Sequence, residues 1–101
     1  MAYRLANRAE ADLDDIAYYI AMESGSLEVA ERVIDAITGR FPFLANHPYS
    51  GRARDDDLGT GRRSFPADQY IIIYRVRGPD VLILRVIHGS RDLKALMGPR
   101  R

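Results

Sequence analysis

Apolar residues along the chain follow two rhythms, and the change falls near its middle. In the first half Ala9, Leu13, Ile16, Ala17 and Ile20 recur at helical spacing. Ala30, Val33, Ile34, Ile37, Phe41 and Leu44 then repeat the pattern. Ser24-Gly25-Ser26 separates the two stripes, with Gly25 suited to a left-handed C′ position and Ser26 to an N-cap. The pattern predicts a helical hairpin: one helix opening at Asn7, which with Glu10 makes a capping box, and a second over about 27–45. Pro42 should kink or loosen its last turn. Asp12, Asp14 and Asp15 read as a solvated helix start matched to the macrodipole. Ahead of the hairpin, residues 2–6 predict a short strand with Tyr3 and Leu5 on one face.

After the turn-rich His47-Pro48-Tyr49-Ser50-Gly51-Arg52, residues 46–61 read as a loop, and Asp55-Asp56-Asp57 within it as a solvated, mobile run. Alternation then replaces the helical period. Arg62–Phe65 predicts a strand closed by Pro66, 69–77 a second, and 80–88 a third, joined through Gly78-Pro79. Arg91–Met97 predicts one short closing helix. The order is β-α-α-β-β-β. It implies a two-layer α+β domain over 1–97, an antiparallel sheet with the helical hairpin on one face, and a tail at 98–101.

Register sharpens this picture. With Gly78-Pro79 as the loop, Tyr70, Ile72 and Tyr74 share a face with Ile83, Arg85 and Ile87. Ile71, Ile73 and Arg75 share the other with Leu82, Leu84 and Val86. The second set is almost wholly aliphatic and is expected beneath the helices. The first, mixing Tyr, Ile and Arg, is expected to meet a partner, because Tyr and Arg are enriched at binding hot spots. A one-residue slip at the Pro-containing loop would exchange the faces.

Composition adds bounds. The 101 residues are 47% apolar and 29% charged, which is globular composition. No apolar run could span a bilayer, the start lacks a signal-peptide layout, and a cytoplasmic location is expected. With no cysteine, disulfides and thiolate metal sites are excluded. Residues 1–50 carry four Arg against eight Asp and Glu, a net of −4. Residues 51–101 carry ten Arg and Lys94 against six Asp, a net of +5. That asymmetry fits a surface for an acidic partner or nucleic acid, and it equally fits acidic helices beside Arg-bearing strands. Fourteen Arg and a single Lys leave little scope for lysine-based acid–base chemistry.

Four stretches in order resemble one family. Ala9-Glu10-Ala11-Asp12-Leu13-Asp14-Asp15-Ile16 is similar to the opening helix of ParE-type toxins, and His47–Arg52 to their helix-ending segment. Gln69-Tyr70 with Ile71–Val76 resembles their central strand. Val81–Val86 and His88-Gly89-Ser90-Arg91-Asp92 resemble the last strand and its exit. The resemblance, to the RelE/ParE toxin superfamily of plasmid stabilisation systems, covers nearly the whole chain. It implies the toxin of a type II toxin–antitoxin system, held in a hetero-oligomer by a ParD-like antitoxin whose disordered C-terminal segment folds on the toxin. ParE toxins act on DNA gyrase, whereas RelE-like cousins cut messenger RNA on the ribosome.

The expected antitoxin-binding residues are Tyr70, Ile72, Tyr74, Arg85, Arg63 and Arg75, and the expected target-binding residues Arg91, Leu93, Leu96 and Met97. No catalytic residue is expected. A ribonuclease would have to rely on His88, Arg91 and Arg63, with His88 as the proton shuttle. Arg91 matches the Arg that RelE-type enzymes carry after the last strand. Pro66 stands where they carry another Arg, and Met97 near their C-terminal Tyr. His88 at a strand end also has a structural reading, as a hydrogen-bond partner of a carbonyl or of Asp92. His47 reads as an exposed turn residue. No metal and no cofactor is expected.

Overall fold

The computed structural model describes residues 2–97, so the tail expected at 98–101 lies outside the described residues. The elements are β1 (Tyr3–Leu5), α1 (Asn7–Ser24), α2 (Leu27–Thr38), α3 (Arg40–Asn46), β2 (Arg52–Ala53), β3 (Arg62–Ala67), β4 (Tyr70–Arg77), β5 (Asp80–His88) and α4 (Leu93–Met97). The α+β class, the helical hairpin and the closing helix are as the periodicity predicts.

The hairpin turn is built as expected. Gly25 is left-handed at φ 69°, and the Ser26 side chain accepts from the Val29 N–H at 3.2 Å. The start of α1 differs. Ala6, not Asn7, is the N-cap, and no side chain caps the helix. Ala6 is still extended and donates its N–H to Ile83 O at 2.9 Å, so strand passes directly into helix and Asn7 is already its first residue. The second predicted helix is two. Pro42 has no N–H for the Thr38 carbonyl and its ring would strike that group, so α2 stops at Thr38 and α3 restarts with Pro42 in its first turn.

The sheet has the order β1-β5-β4-β3-β2. From β2 to β5 it is antiparallel, but β1 adds to β5 in parallel, so the sheet is mixed. β2 lies inside the predicted loop. β3 runs on through Pro66 to Ala67, beyond the reach of two-residue β2, so no ladder bond is lost on that edge.

Gly78-Pro79 is the hairpin loop, with Arg77 opposite Asp80 and Tyr74 opposite Ile83. Between Ile73 and Tyr74 the register shifts, Ile73 pairing with Arg85, so Leu84 is the extra residue of a bulge. From there Val86 joins the Ile72 side and Ile87 the Ile71 side.

Except at Val86 and Ile87, which lie beyond the bulge, the faces are therefore the reverse of those expected. Tyr70, Ile72 and Tyr74 lie in the main core with Ala9, Ile37, Phe41, Leu44, Val81 and Ile83, beneath the helices. Ile72 and Tyr74 are fully buried and cannot meet a partner. Ile71, Ile73, Leu84 and Ile87 form a second cluster on the back of the sheet, covered by Leu58, Leu93 and Met97. Both faces carry an apolar cluster and each cluster is covered, so alternation alone could not say which the helices take. Tyr74 fits the helical side because its hydroxyl finds partners there, donating to Pro48 O at 2.8 Å and accepting from Gly51 N–H at 2.9 Å. Gly51 has no space for a Cβ, which would overlap the Tyr74 ring and hydroxyl.

Candidate partner-binding groove

A groove of about 1140 Å³ opens on the helical side of the sheet, between α1 and the end of the sheet where β4 begins and β5 finishes. Its apolar wall is Ile16, Tyr19 and Ile20 of α1, with Val33 behind. The periodicity of α1 turns Ile16 inward and leaves Tyr19 beside it, 62% exposed.

The floor is an ion pair beside the bulge. At a β-bulge two successive side chains reach the same side, and here Arg85 and Val86 both reach the helical layer. Arg85 Nε donates to Asp12 Oδ2 at 2.7 Å and a terminal nitrogen to Asp12 Oδ1 at 3.0 Å. The Val86 N–H adds a third bond to the same carboxylate at 2.9 Å, so the amide freed by the bulge is satisfied. Both side chains are largely buried. Asp12 is thus a structural partner of β5, not the solvated helix-start residue its sequence position suggests.

Tyr70 and His88, Cα partners across β4 and β5, meet edge to face at 5.2 Å. The Tyr70 hydroxyl has no hydrogen-bond partner among the described residues and lines the groove. Burial first, and Tyr19 second, push its pKa up, which keeps it a neutral donor. The Ser90 N–H donates to His88 Nδ1 at 3.1 Å, and Ser90 Oγ lies 2.7 Å from the same nitrogen. An N–H can only donate, so Nδ1 is an acceptor and the neutral ring carries its proton on Nε2. Ser90 is thus the partner of His88, in place of the carbonyl or Asp92 expected.

Among the groove's lining residues Arg8, Arg85 and Arg91 stand against Asp12, Asp15 and Asp68, three cations to three anions. The groove is formally balanced rather than basic.

The structure brings together only part of the expected set. Tyr70, Arg85, Arg91, Leu96 and His88 line the groove. Ile72 and Tyr74 are core. Arg63 holds the loop after α3, donating to the carbonyls of Tyr49 at 3.1 Å and Gly51 at 2.6 Å and lying over the Tyr49 ring. Arg75 lies on the opposite face, where its strand partner is Arg62. Leu93 and Met97 also turn to the back of the sheet. The α1 residues Arg8, Ile16, Tyr19 and Ile20 were not foreseen as groove residues. An exposed Tyr beside the buried stripe was the one available signal. The Asp run at 55–57 is organised: Asp57 pairs with Arg54 at 2.6 Å, and Asp55 accepts from Gly61 N–H at 2.7 Å.

A sheet backed by a helical hairpin, with a balanced, half-apolar groove between them, defines a small two-layer α+β domain. The chain matches, over residues 3–93, the family described as "ParE toxin of type II toxin-antitoxin system, parDE". It is 35% identical over 96 residues to Toxin ParE1 of Caulobacter vibrioides, covering 95% of this chain and 97% of that one. It is 33% identical over 85 residues to Toxin RelE3 of the same organism, covering 84% and 90%. Among solved structures, a chain of the chromosomal ParDE system from P. aeruginosa superposes with a TM-score of 0.75 at 24% identity, over 87% of this chain and 95% of that one. A chain of the RelBE2 toxin–antitoxin complex from Mycobacterium tuberculosis gives 0.61 at 24%, over 86% and 95%. The chain belongs to the ParE family and is a toxin of a type II toxin–antitoxin system. No helix among the described residues is long and apolar enough to cross a membrane.

Proposed function

We propose that the chain acts in the cytoplasm by binding and inhibiting DNA gyrase, without catalysis, and that a ParD-like antitoxin neutralises it in a hetero-oligomer. The antitoxin's amphipathic segment would seat in the groove, with apolar side chains against Ile16 and Tyr19 and polar groups on the Tyr70 hydroxyl and Arg91. Arg91 and Leu96 on the groove rim are the expected contacts to the target. The ParE match supports this reading over a RelE-type one.

The observation that carries it is the separation of Arg63 from His88 and Arg91, which both line the groove. His88 pairs with Tyr70, and Arg63 with Tyr74 two strands away. Four residues of strand separate these positions, roughly 13 Å, and Arg63 is engaged with two carbonyls. That separation argues against their converging on one phosphate.

The likeness to Toxin RelE3 keeps messenger RNA cleavage as the second reading. Purified protein decides between them in two assays, gyrase supercoiling and cleavage of ribosome-bound message. The expected result is inhibition in the first and intact message in the second. Cleavage lost in His88→Ala or Arg91→Ala, with the fold intact, would establish the enzyme instead. For the groove, Tyr19→Ala should weaken antitoxin binding by about tenfold or more, since a truncated aromatic hot spot costs about 2 kcal/mol. Unchanged affinity would place the antitoxin elsewhere.

A further inference from the structure

The back of the sheet carries a second charged feature that the groove does not use. Arg62 and Arg75 are direct partners across β3 and β4. Arg75 is in turn opposite Leu82, and Leu82 opposite Arg4 of β1. The row Arg62, Arg75, Leu82, Arg4 thus crosses four strands, and three strand spacings make it about 14 Å long. Arg77 stands two residues beyond Arg75 on the same face. Arg52, opposite Ser64, extends the cluster toward the β2 edge.

Like charges directly opposite in a sheet are destabilising unless something offsets them. The available acids do not. Among the described residues the ion pairs are Arg54–Asp57 and Arg85–Asp12, so Arg4, Arg52, Arg62, Arg75 and Arg77 have no carboxylate within ion-pair distance. Asp80, opposite Arg77, accepts from the Ala2 N–H at 3.1 Å. Arg62 Nη1 donates to the carbonyls of Leu58 and Met97, which leaves the charge without a counter-ion.

We propose that this face is a binding site for the phosphate backbone of duplex DNA. The guanidinium fork matches phosphate, and the row sits on a hydrogen-bonded ladder that needs no ordering to bind. Its length is comparable with the openings of the duplex grooves, about 6–12 Å, so it can reach phosphates on both sides of one. The strand residues sharing the face include no aromatic for stacking unpaired bases and no Asn or Gln for reading base edges. An acidic peptide would need apolar anchor pockets for affinity. The apolar half of this face is already filled by Leu58, Leu93 and Met97. What remains is an electrostatic, sequence-independent contact.

The test uses the full chain and fluorescence anisotropy with two 20-base-pair duplexes of unrelated sequence. Both should bind equally, in the micromolar range. Four phosphate contacts should weaken binding about a hundredfold between 50 and 200 mM salt. Arg4→Gln with Arg77→Gln, both at exposed positions, should weaken binding at least tenfold and lower the salt slope by about two. Arg32→Gln with Arg40→Gln, the same charge loss on the helices, should leave both unchanged, and circular dichroism should show both double variants folded. Equal effects of the two pairs, no binding at 50 mM salt, tighter binding to single-stranded RNA, or displacement by polyglutamate at equal charge would each overturn the proposal.

Discussion

Asp12 shows how far a side chain's neighbours, rather than its position in the chain, set its role. Its carboxylate takes three hydrogen bonds from β5. Asp12→Asn should therefore destabilise by about 2–4 kcal/mol in urea unfolding, because it leaves the Arg85 charge largely buried without a counter-charge. Arg85→Met in the same chain should recover part of the loss, and a double-mutant cycle would measure the coupling. Arg54 and Asp57 make a second pair, with a more exposed carboxylate. Hydrogen bonding to Arg54 holds the Asp57 pKa below the ordinary carboxylate range. A depressed pKa contributes stability above the unfolded value that is lost as pH falls through the folded one. NMR titration of Asp57 should thus give a midpoint below that of an ordinary aspartate, and Arg54→Ala should return it toward the ordinary value. Neither pair can be read from sequence, since 73 residues separate Asp12 from Arg85 and the Asp run looks uniformly solvated.

Among the elements, the hairpin is the most legible because its signals are local. Ser26→Ala should cost about 1 kcal/mol, the usual value of a lost N-cap, as a lowered thermal midpoint without loss of helix content. The loop after α3 is fixed by a distant residue instead. Tyr74→Phe would strand the Gly51 N–H and the Pro48 carbonyl and should cost about 1–3 kcal/mol. Gly51→Ala should cost more, because the added Cβ meets the Ser64 carbonyl at 2.8 Å as well as the Tyr74 ring. Equal stability of Gly51→Ala and the unaltered chain in chemical denaturation would refute that packing.

For the molecule as a whole, the sheet has two covers of unequal strength. The helical hairpin and α3 seal one face; Leu58 and five-residue α4 cover part of the other. Truncation after Gly89 removes Leu93 and Met97 from Ile73 and Ile87. It should lower stability by about 2–4 kcal/mol, the cost of losing two large apolar contacts, and raise binding of a hydrophobic dye. Loss of toxicity in that truncation would then need a stability control before it speaks to target contact. Amides of β4 and β5 should exchange slowly and those of α4 quickly in hydrogen exchange, and equal protection would show the second cover to be as firm as the first.

The amino-acid sequence alone determined what rests on neighbours in the chain: the two helical stripes, the Gly25-Ser26 turn, the Gly78-Pro79 hairpin, the α+β order and the family resemblance. It also grouped Tyr70, Ile72 and Tyr74 on one face. Which face the helices cover was decided only in three dimensions, because both faces carry an apolar cluster that finds a cover from a distant segment. The bulge at Leu84 likewise leaves no local mark, yet it brings Val86 to the helical side, where its N–H joins Arg85 on the Asp12 carboxylate. The groove wall on α1 and the Arg62–Arg75–Arg4 row exist only once β1 has added in parallel to β5 and α1 has crossed the sheet. Long-range pairing, not local propensity, is the physical cause of both.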